Sequence, residues 1–129
     1  MRKTIMVVDD EKDLVEAIKL KLNAEGYNVV EAFDGQEALD ILRKKRPDLI
    51  LLDIMMPHLN GYQVCREIKK DAKLKQIPVL MLTAKAQESD KFWGLETGAD
   101  DYITKPFEFE SLIESIKKHL LNEKTVKAA

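Results

Sequence analysis

Asp48-Leu49-Ile50-Leu51-Leu52-Asp53-Ile54-Met55-Met56-Pro57 is the stretch that decides the fold. After Asp48, the residues up to Leu52 are aliphatic without interruption and lack the polar alternation of a half-solvated strand. The segment therefore reads as a strand covered on both faces. Strands of that kind belong to parallel sheets, whose neighbours are joined by long crossovers, usually helical. The run ends on a carboxylate, Asp53, before a Met-Met-Pro turn.

The same alternation extends in both directions. Thr4 to Val8 is a short β-branched and apolar run that stops at Asp9-Asp10. From Glu11 to Glu25, Leu14, Ile18 and Leu22 recur every four positions, a helical face, and Gly26 supplies a helix stop. Asn28 to Phe33 reads as a second strand, at an edge because it carries a charge. Asp34 with Glu37 has the spacing of a capping box for a helix through Leu42. On the other side, Asn60-Gly61 leads into a helix bearing Val64, Cys65 and Ile68, and Pro78 to Leu82 is another apolar strand. Asp90 to Glu96 reads as a weaker helix closed by Thr97-Gly98, and Tyr102-Ile103-Thr104 as a short strand. Phe109, Ile113, Ile116 and Leu120 mark a last amphipathic helix. Glu123 to Ala129 has no periodic pattern and reads as a frayed tail. Five strands, each followed by a helix, predict an α/β fold with a parallel sheet between two helical layers.

At 129 residues the chain has the length of one domain. Charged residues make up 34% of it, yet the formal net charge is only −2, which argues against a nucleic-acid-binding module. No apolar run approaches the roughly 20 residues of a membrane span. The apolar stretch behind Met1-Arg2-Lys3 is too short for a signal peptide. A single cysteine, Cys65, has no intrachain partner and fits a reducing cytoplasm. Its spacing from Val64 and Ile68 is that of a small core residue. His58 and His119 fall at positions read as exposed and receive no catalytic role.

Four of the five strands end in polar residues: Asp9-Asp10, Asp53, Thr83 and Lys105. Ligands of open α/β sheets bind outside the carboxyl ends of the strands, where strand order reverses. Singly, each residue has an ordinary explanation: Asp10 as a helix cap, Asp53 as a turn former, Thr83 as a strand end and Lys105 as a surface charge. Together, three carboxylates in one cleft repel one another and call for an offsetting charge. A hard dication such as magnesium, which prefers oxygen ligands, supplies it. A carboxylate is also a nucleophile able to form an acyl phosphate. Transfer of a phosphoryl group mainly requires its oxygens to be positioned and neutralised. The metal, the Lys105 ammonium and the Thr83 hydroxyl can each cover one oxygen.

In these motifs the chain resembles the receiver domains of bacterial two-component response regulators. The matching segments are Val7-Val8-Asp9-Asp10-Glu11, Asp53-Ile54-Met55-Met56-Pro57, Leu82-Thr83-Ala84-Lys85 and the run from Gly98 to Phe107. The resemblance implies a flavodoxin-like doubly wound (βα)5 fold with strand order 2-1-3-4-5, residues 1–122 forming the receiver and 123–129 a flexible tail or linker. Asp53 matches the phosphoacceptor. Asp9, Asp10, Asp53 and the Met55 backbone carbonyl match the Mg2+ ligands, with Mn2+ as a substitute ion. Lys105 matches the phosphate-contacting lysine. Thr83 and Tyr102 match the pair that rearranges on phosphorylation, and Lys105-Pro106 matches a cis peptide bond.

The resemblance further implies a cytoplasmic switch rather than an enzyme, catalysing only its own phosphorylation and dephosphorylation. The phosphodonor is a sensor histidine kinase or phosphotransfer protein, and small phosphodonors are expected to substitute for it. The readout is the surface around the fourth helix, fifth strand and fifth helix, acting on a downstream protein or an output domain. Met55 and Lys85 occupy positions that influence phosphoryl lifetime. Trp93, beside Phe92, is a candidate partner anchor. Lys91 and Asp101 suit the charged pairs of a phosphorylation-dependent dimer, although Ser111, Ser115 and Asn122 stand where further charges are expected, so monomer and weak dimer both stay open. A haloacid dehalogenase-like phosphatase is the alternative, but Met55 stands where its second aspartate belongs. A flavin carrier is a third reading, opposed by the acids after the first strand. Sequence leaves open a stand-alone regulator and a receiver cut from a longer one.

Overall fold

Leu49–Asp53 forms β3, the middle strand of a five-stranded parallel sheet in a computed structural model that describes residues 2–84 and 98–128, the backbone alone for 122–128. The other strands are β1 (Thr4–Val8), β2 (Asn28–Ala32), β4 (Val79–Thr83) and β5 (Asp101–Thr104), in the order β2-β1-β3-β4-β5. The described helices are α1 (Lys12–Ala24), α2 (Gly35–Leu42), α3 (Gly61–Lys70) and a C-terminal helix, Phe109–Ala128. This is the flavodoxin-like arrangement that the resemblance implies, with β2 at an edge as its internal charge predicts. The expected helix at Asp90 to Glu96 lies outside the described residues.

Strand alternation divides the aliphatic run of β3 between two cores. Leu49 and Leu51 pack with Val15, Ile18 and Leu22 of α1 and with Leu112 and Ile116 of the C-terminal helix. Ile50 and Leu52 pack on the opposite face with Ala38 and Leu42 of α2 and with Val64, Cys65 and Ile68 of α3. All four β3 residues are fully buried, so neither face of this strand has room for a polar side chain until Asp53. Cys65 is buried, as its spacing predicts.

Helix ends follow local chemistry. Gly26 adopts φ +94, a left-handed conformation that stops α1 without a Cβ penalty. Asp34 caps α2 by accepting the Glu37 N–H at 2.7 Å. The Glu37 carboxylate bonds the Phe33 N–H at 2.6 Å, one residue upstream of the capping-box partner. A reciprocal box does form at α3, between Asn60 and Gln63. The strands shift by about one residue from the sequence reading. β4 starts after Pro78, which has no N–H to donate, although its carbonyl accepts from Ile50 at 2.9 Å. The C-terminal helix continues to Ala128, through the segment read as a patternless tail, because Glu, Lys and Ala are good helix formers even without an apolar face.

At the amino ends of the strands, the Lys69 ammonium donates to the carbonyls of Lys75 (3.1 Å) and Ile77 (2.9 Å) and to Asp100 Oδ2 (3.1 Å). The same Asp100 oxygen accepts the Val79 N–H at 2.8 Å. One side chain thus ties the end of α3 to the entrances of β4 and β5. Lys69→Met keeps the stem and deletes the donors. It should cost about 1–3 kcal/mol, read as a lower urea midpoint at unchanged m-value.

Candidate functional site

Because β1 lies between β2 and β3, the chain leaves β1 and β3 toward opposite sides of the sheet, and a crevice opens at their carboxyl ends. Asp9 follows β1, Asp53 ends β3, and the exposed Asp10 stands at the rim. One carboxylate oxygen from each lies within 4.8 Å of the others. Asp9 is completely buried and Asp53 is 5% exposed. Asp9 Oδ1 is fixed by the Glu11 N–H at 2.9 Å.

Lys105 enters from beyond β5. Its N–H donates to the Thr83 carbonyl at 2.6 Å, which continues the β4–β5 ladder past Thr104 and holds Lys105 beside the end of β4. From there the ammonium reaches Asp9 Oδ2 (2.8 Å) and Asp53 Oδ1 (3.1 Å), with Glu11 Oε1 at 3.5 Å. The Lys105-Pro106 bond is cis, as expected. Thr83 is buried at the end of β4. The register pairs Tyr102 with Met81 and Thr104 with Thr83, so alternation puts Tyr102, Met81 and Thr83 on one face of the sheet. Tyr102 is half-buried against the α2/α3-side core. Met55 follows in the β3–α3 loop with 76% of its surface exposed.

Burial is the main reason the Asp53 carboxyl is pushed up to about 6; Asp9 adds repulsion, and Lys105 opposes both. For Lys105, burial disfavours the charge, but Asp9 and Asp53 outweigh it and hold the ammonium above its usual pKa. Among the described residues, one cation thus stands beside the acids Asp9, Asp53 and Glu11, with Asp10 grouped next to them, and a negative excess remains. An all-oxygen donor set with that excess fits a hard dication such as magnesium.

Three features of the site escape a reading of the sequence. A Cβ at Gly61 would overlap the Asp53 carbonyl oxygen and lie 2.8 Å from Ile54 Cα, so only glycine lets α3 start against the phosphoacceptor candidate's backbone. Its signal was its place directly after a helix cap. Glu11 joins the Lys105 cluster, and its signal was adjacency to Asp9-Asp10. His119, read as exposed, is instead largely covered: its side chain is 14% exposed and its Nε2 lies 2.9 Å from Asp101 Oδ2. The amphipathic stripe through Ile116 carries it against β5, which spacing alone did not reveal. His58 is exposed as expected. Lys85, Lys91, Phe92 and Trp93 lie outside the described residues.

The model of the response regulator receiver domain family matches residues 5–117. Among solved structures, a CheY-like response regulator receiver domain protein from Methanospirillum hungatei JF-1 is 30% identical, with a TM-score of 0.91 over 97% of this chain and 98% of that one. The signal receiver domain of a signal transduction histidine kinase from Syntrophus aciditrophicus is 38% identical, with a TM-score of 0.88 over 93% and 91%. The receiver domain of the sensor histidine kinase PA1611 from Pseudomonas aeruginosa PAO1 is 31% identical, with a TM-score of 0.86 over 93% and 98%; it has a magnesium ion coordinated in its active-site cleft.

The raised Asp53 pKa makes a prediction about stability. Asp53 holds its proton more tightly folded than unfolded, so stability falls as pH rises from about 4 through about 6. Asp53→Asn removes that loss. In chelator-treated protein the variant's unfolding free energy from urea titration should exceed the parent's at pH 7, by at most about 3 kcal/mol, and the difference should shrink toward pH 4.

Proposed function

Since the chain belongs to the response regulator receiver domain family, we propose that it is a phosphorylation-driven switch in two-component signalling, with Asp53 as the phosphoacceptor. The observation that carries this reading is the buried Asp53 carboxylate held at 3.1 Å by Lys105 and crowded by Asp9. Asp9, Asp10, Asp53 and the Met55 carbonyl are the proposed Mg2+ ligands, with Mn2+ able to substitute. When bound, the dication neutralises charge on the phosphoryl oxygens.

An Asp53 oxygen attacks the phosphorus of a phosphohistidine on a sensor kinase or phosphotransfer protein. A P–O bond forms as the donor P–N bond breaks, and the imidazole leaves with the bonding pair. Lys105 exchanges a carboxylate oxygen for a phosphoryl oxygen, and the Thr83 hydroxyl turns to donate to another. Tyr102, on the same face of the sheet, follows Thr83 inward. The surface of β5 and the C-terminal helix then changes its affinity for a partner or output domain. The largely apolar cleft of about 450 Å³ between Leu14, Phe107 and Phe109 has Lys105 in its lining, which supports docking of a donor segment on the Lys105 side of the site.

The protein acts on itself and turns over no separate substrate in this reading. Among the described residues no helix is long and apolar enough to cross a membrane, and we place the switch in the cytoplasm, with no direct contact to nucleic acid. Residues 1–122 are proposed as the receiver and 123–129 as a tail or linker. Trp93 and Lys91 remain proposed contacts on the partner face. Asp101 is proposed with a different role, because His119 of the same chain already engages its carboxylate.

Two measurements test this function. With Mg2+, radiolabel from a panel of phosphorylated sensor kinases should move to the chain and be lost in Asp53→Asn; label retained by the variant would overturn the assignment. Met55 and Lys85 are proposed to hinder an in-line water. Replacing both with small polar residues should shorten the phosphoprotein's half-life about tenfold, which corresponds to about 1.4 kcal/mol of barrier, followed by loss of label over time.

A further inference from the structure

β5 has four residues and, among the described residues, one hydrogen-bonded neighbouring strand, β4, so its position depends heavily on side-chain contacts. On one side Ile103 packs with Leu112 and Ile116 of the C-terminal helix. His119 lies one turn beyond Ile116 on that helix face and reaches the first residue of the strand, Asp101, at 2.9 Å. The other oxygen of the same carboxylate accepts the Tyr102 N–H at 2.8 Å. One carboxylate therefore joins the C-terminal helix to the main chain of the residue whose ring is proposed to move.

We propose that His119 is a positioning residue that clamps β5, through Asp101, in the arrangement adopted without a phosphoryl group. In that arrangement Lys105 is paired to Asp53 and Asp9. The proposal rests on the reading of Asp53 as phosphoacceptor and Tyr102 as the moving ring. In this proposal the Tyr102 main chain shifts with its ring, which pulls on the Asp101 carboxylate through the Tyr102 N–H and strains its bond to His119. The clamp therefore biases the two-state equilibrium toward the unphosphorylated form. By linkage, whatever loosens the clamp makes phosphorylation easier, and phosphorylation loosens the clamp. The pairing also occupies Asp101 within its own chain, so the face offers a partner the outer edge of the His119–Asp101 pair rather than an unpaired carboxylate.

The test uses acetyl phosphate with Mg2+, a donor that needs no docking surface: the Asp53 oxygen forms the new P–O bond and acetate leaves. His119→Phe keeps an aromatic volume and deletes the hydrogen bond. Its phosphorylation rate should rise about three- to tenfold, the range expected for losing one hydrogen bond from the unphosphorylated state. Its Tyr102 ring resonances, without any phosphate mimic, should shift toward those of the beryllofluoride-treated parent. His119→Arg, which restores a donor to Asp101, should return both readouts to parental values. An unchanged or slower rate in folded His119→Phe, or identical behaviour of the Phe and Arg variants, would overturn the clamp. If His119→Phe fails to fold, Asp101→Ala should give the same acceleration, and a parental rate there would overturn it equally. Absence of any labelling of the parent at Asp53 would instead sink the underlying functional reading.

Discussion

One ammonium group holds the site together. The Lys105 nitrogen lies against Asp9 and Asp53, two carboxylates almost removed from water, and its attraction opposes both their burial and their mutual repulsion. Its reach depends on the sheet. β5 is three strands from β1, with neighbouring strands about 4.8 Å apart. A lysine stem alone does not span that separation. The ladder bond from its N–H to the Thr83 carbonyl holds Lys105 beside the end of β4, and from there its side chain reaches aspartates that themselves extend from the strand ends. Strand order, the end of β4 and the burial of two aspartates are thus parts of one electrostatic arrangement.

That arrangement trades stability for readiness. An Asp53 carboxyl pushed up to about 6 keeps its charge in a buried site at a cost, and Lys105, which opposes that rise, is a group the proposed chemistry uses. Sites that break local rules of stability are where function is expected. Gly61 shows the same compromise in the backbone: it gives up helix propensity so that α3 can begin against the Asp53 carbonyl.

How much of this was legible depended on whether the signal was local. The aliphatic run from Leu49 to Leu52 announces a doubly covered strand by itself, and the parallel sheet follows. Asp9, Asp53, Thr83 and Lys105 were readable because each stands at the end of an apolar run, and the fold turns strand ends into neighbours. Boundaries were less legible: Pro78 reads as strand by hydropathy yet has no donor for the ladder, and the C-terminal helix outruns its apolar pattern. Long-range pairings were not legible. Lys69 with Asp100 and His119 with Asp101 are ordinary charged or polar residues until the fold brings them together, and no spacing rule links them. The Gly61 contact escaped for the same reason, since its obstacle is the backbone of another element.

The division of β3 between two cores gives the halves of the molecule separate chemistry. Cys65, the chain's one cysteine, is fully buried in the layer of α2 and α3, while the layer of α1 and the C-terminal helix has no thiol. A thiol reagent can reach Cys65 only when its own layer opens, so its labelling rate is a clock for local opening on that side. Tyr102 packs on the same side, and the clock runs in the layer into which its ring would turn.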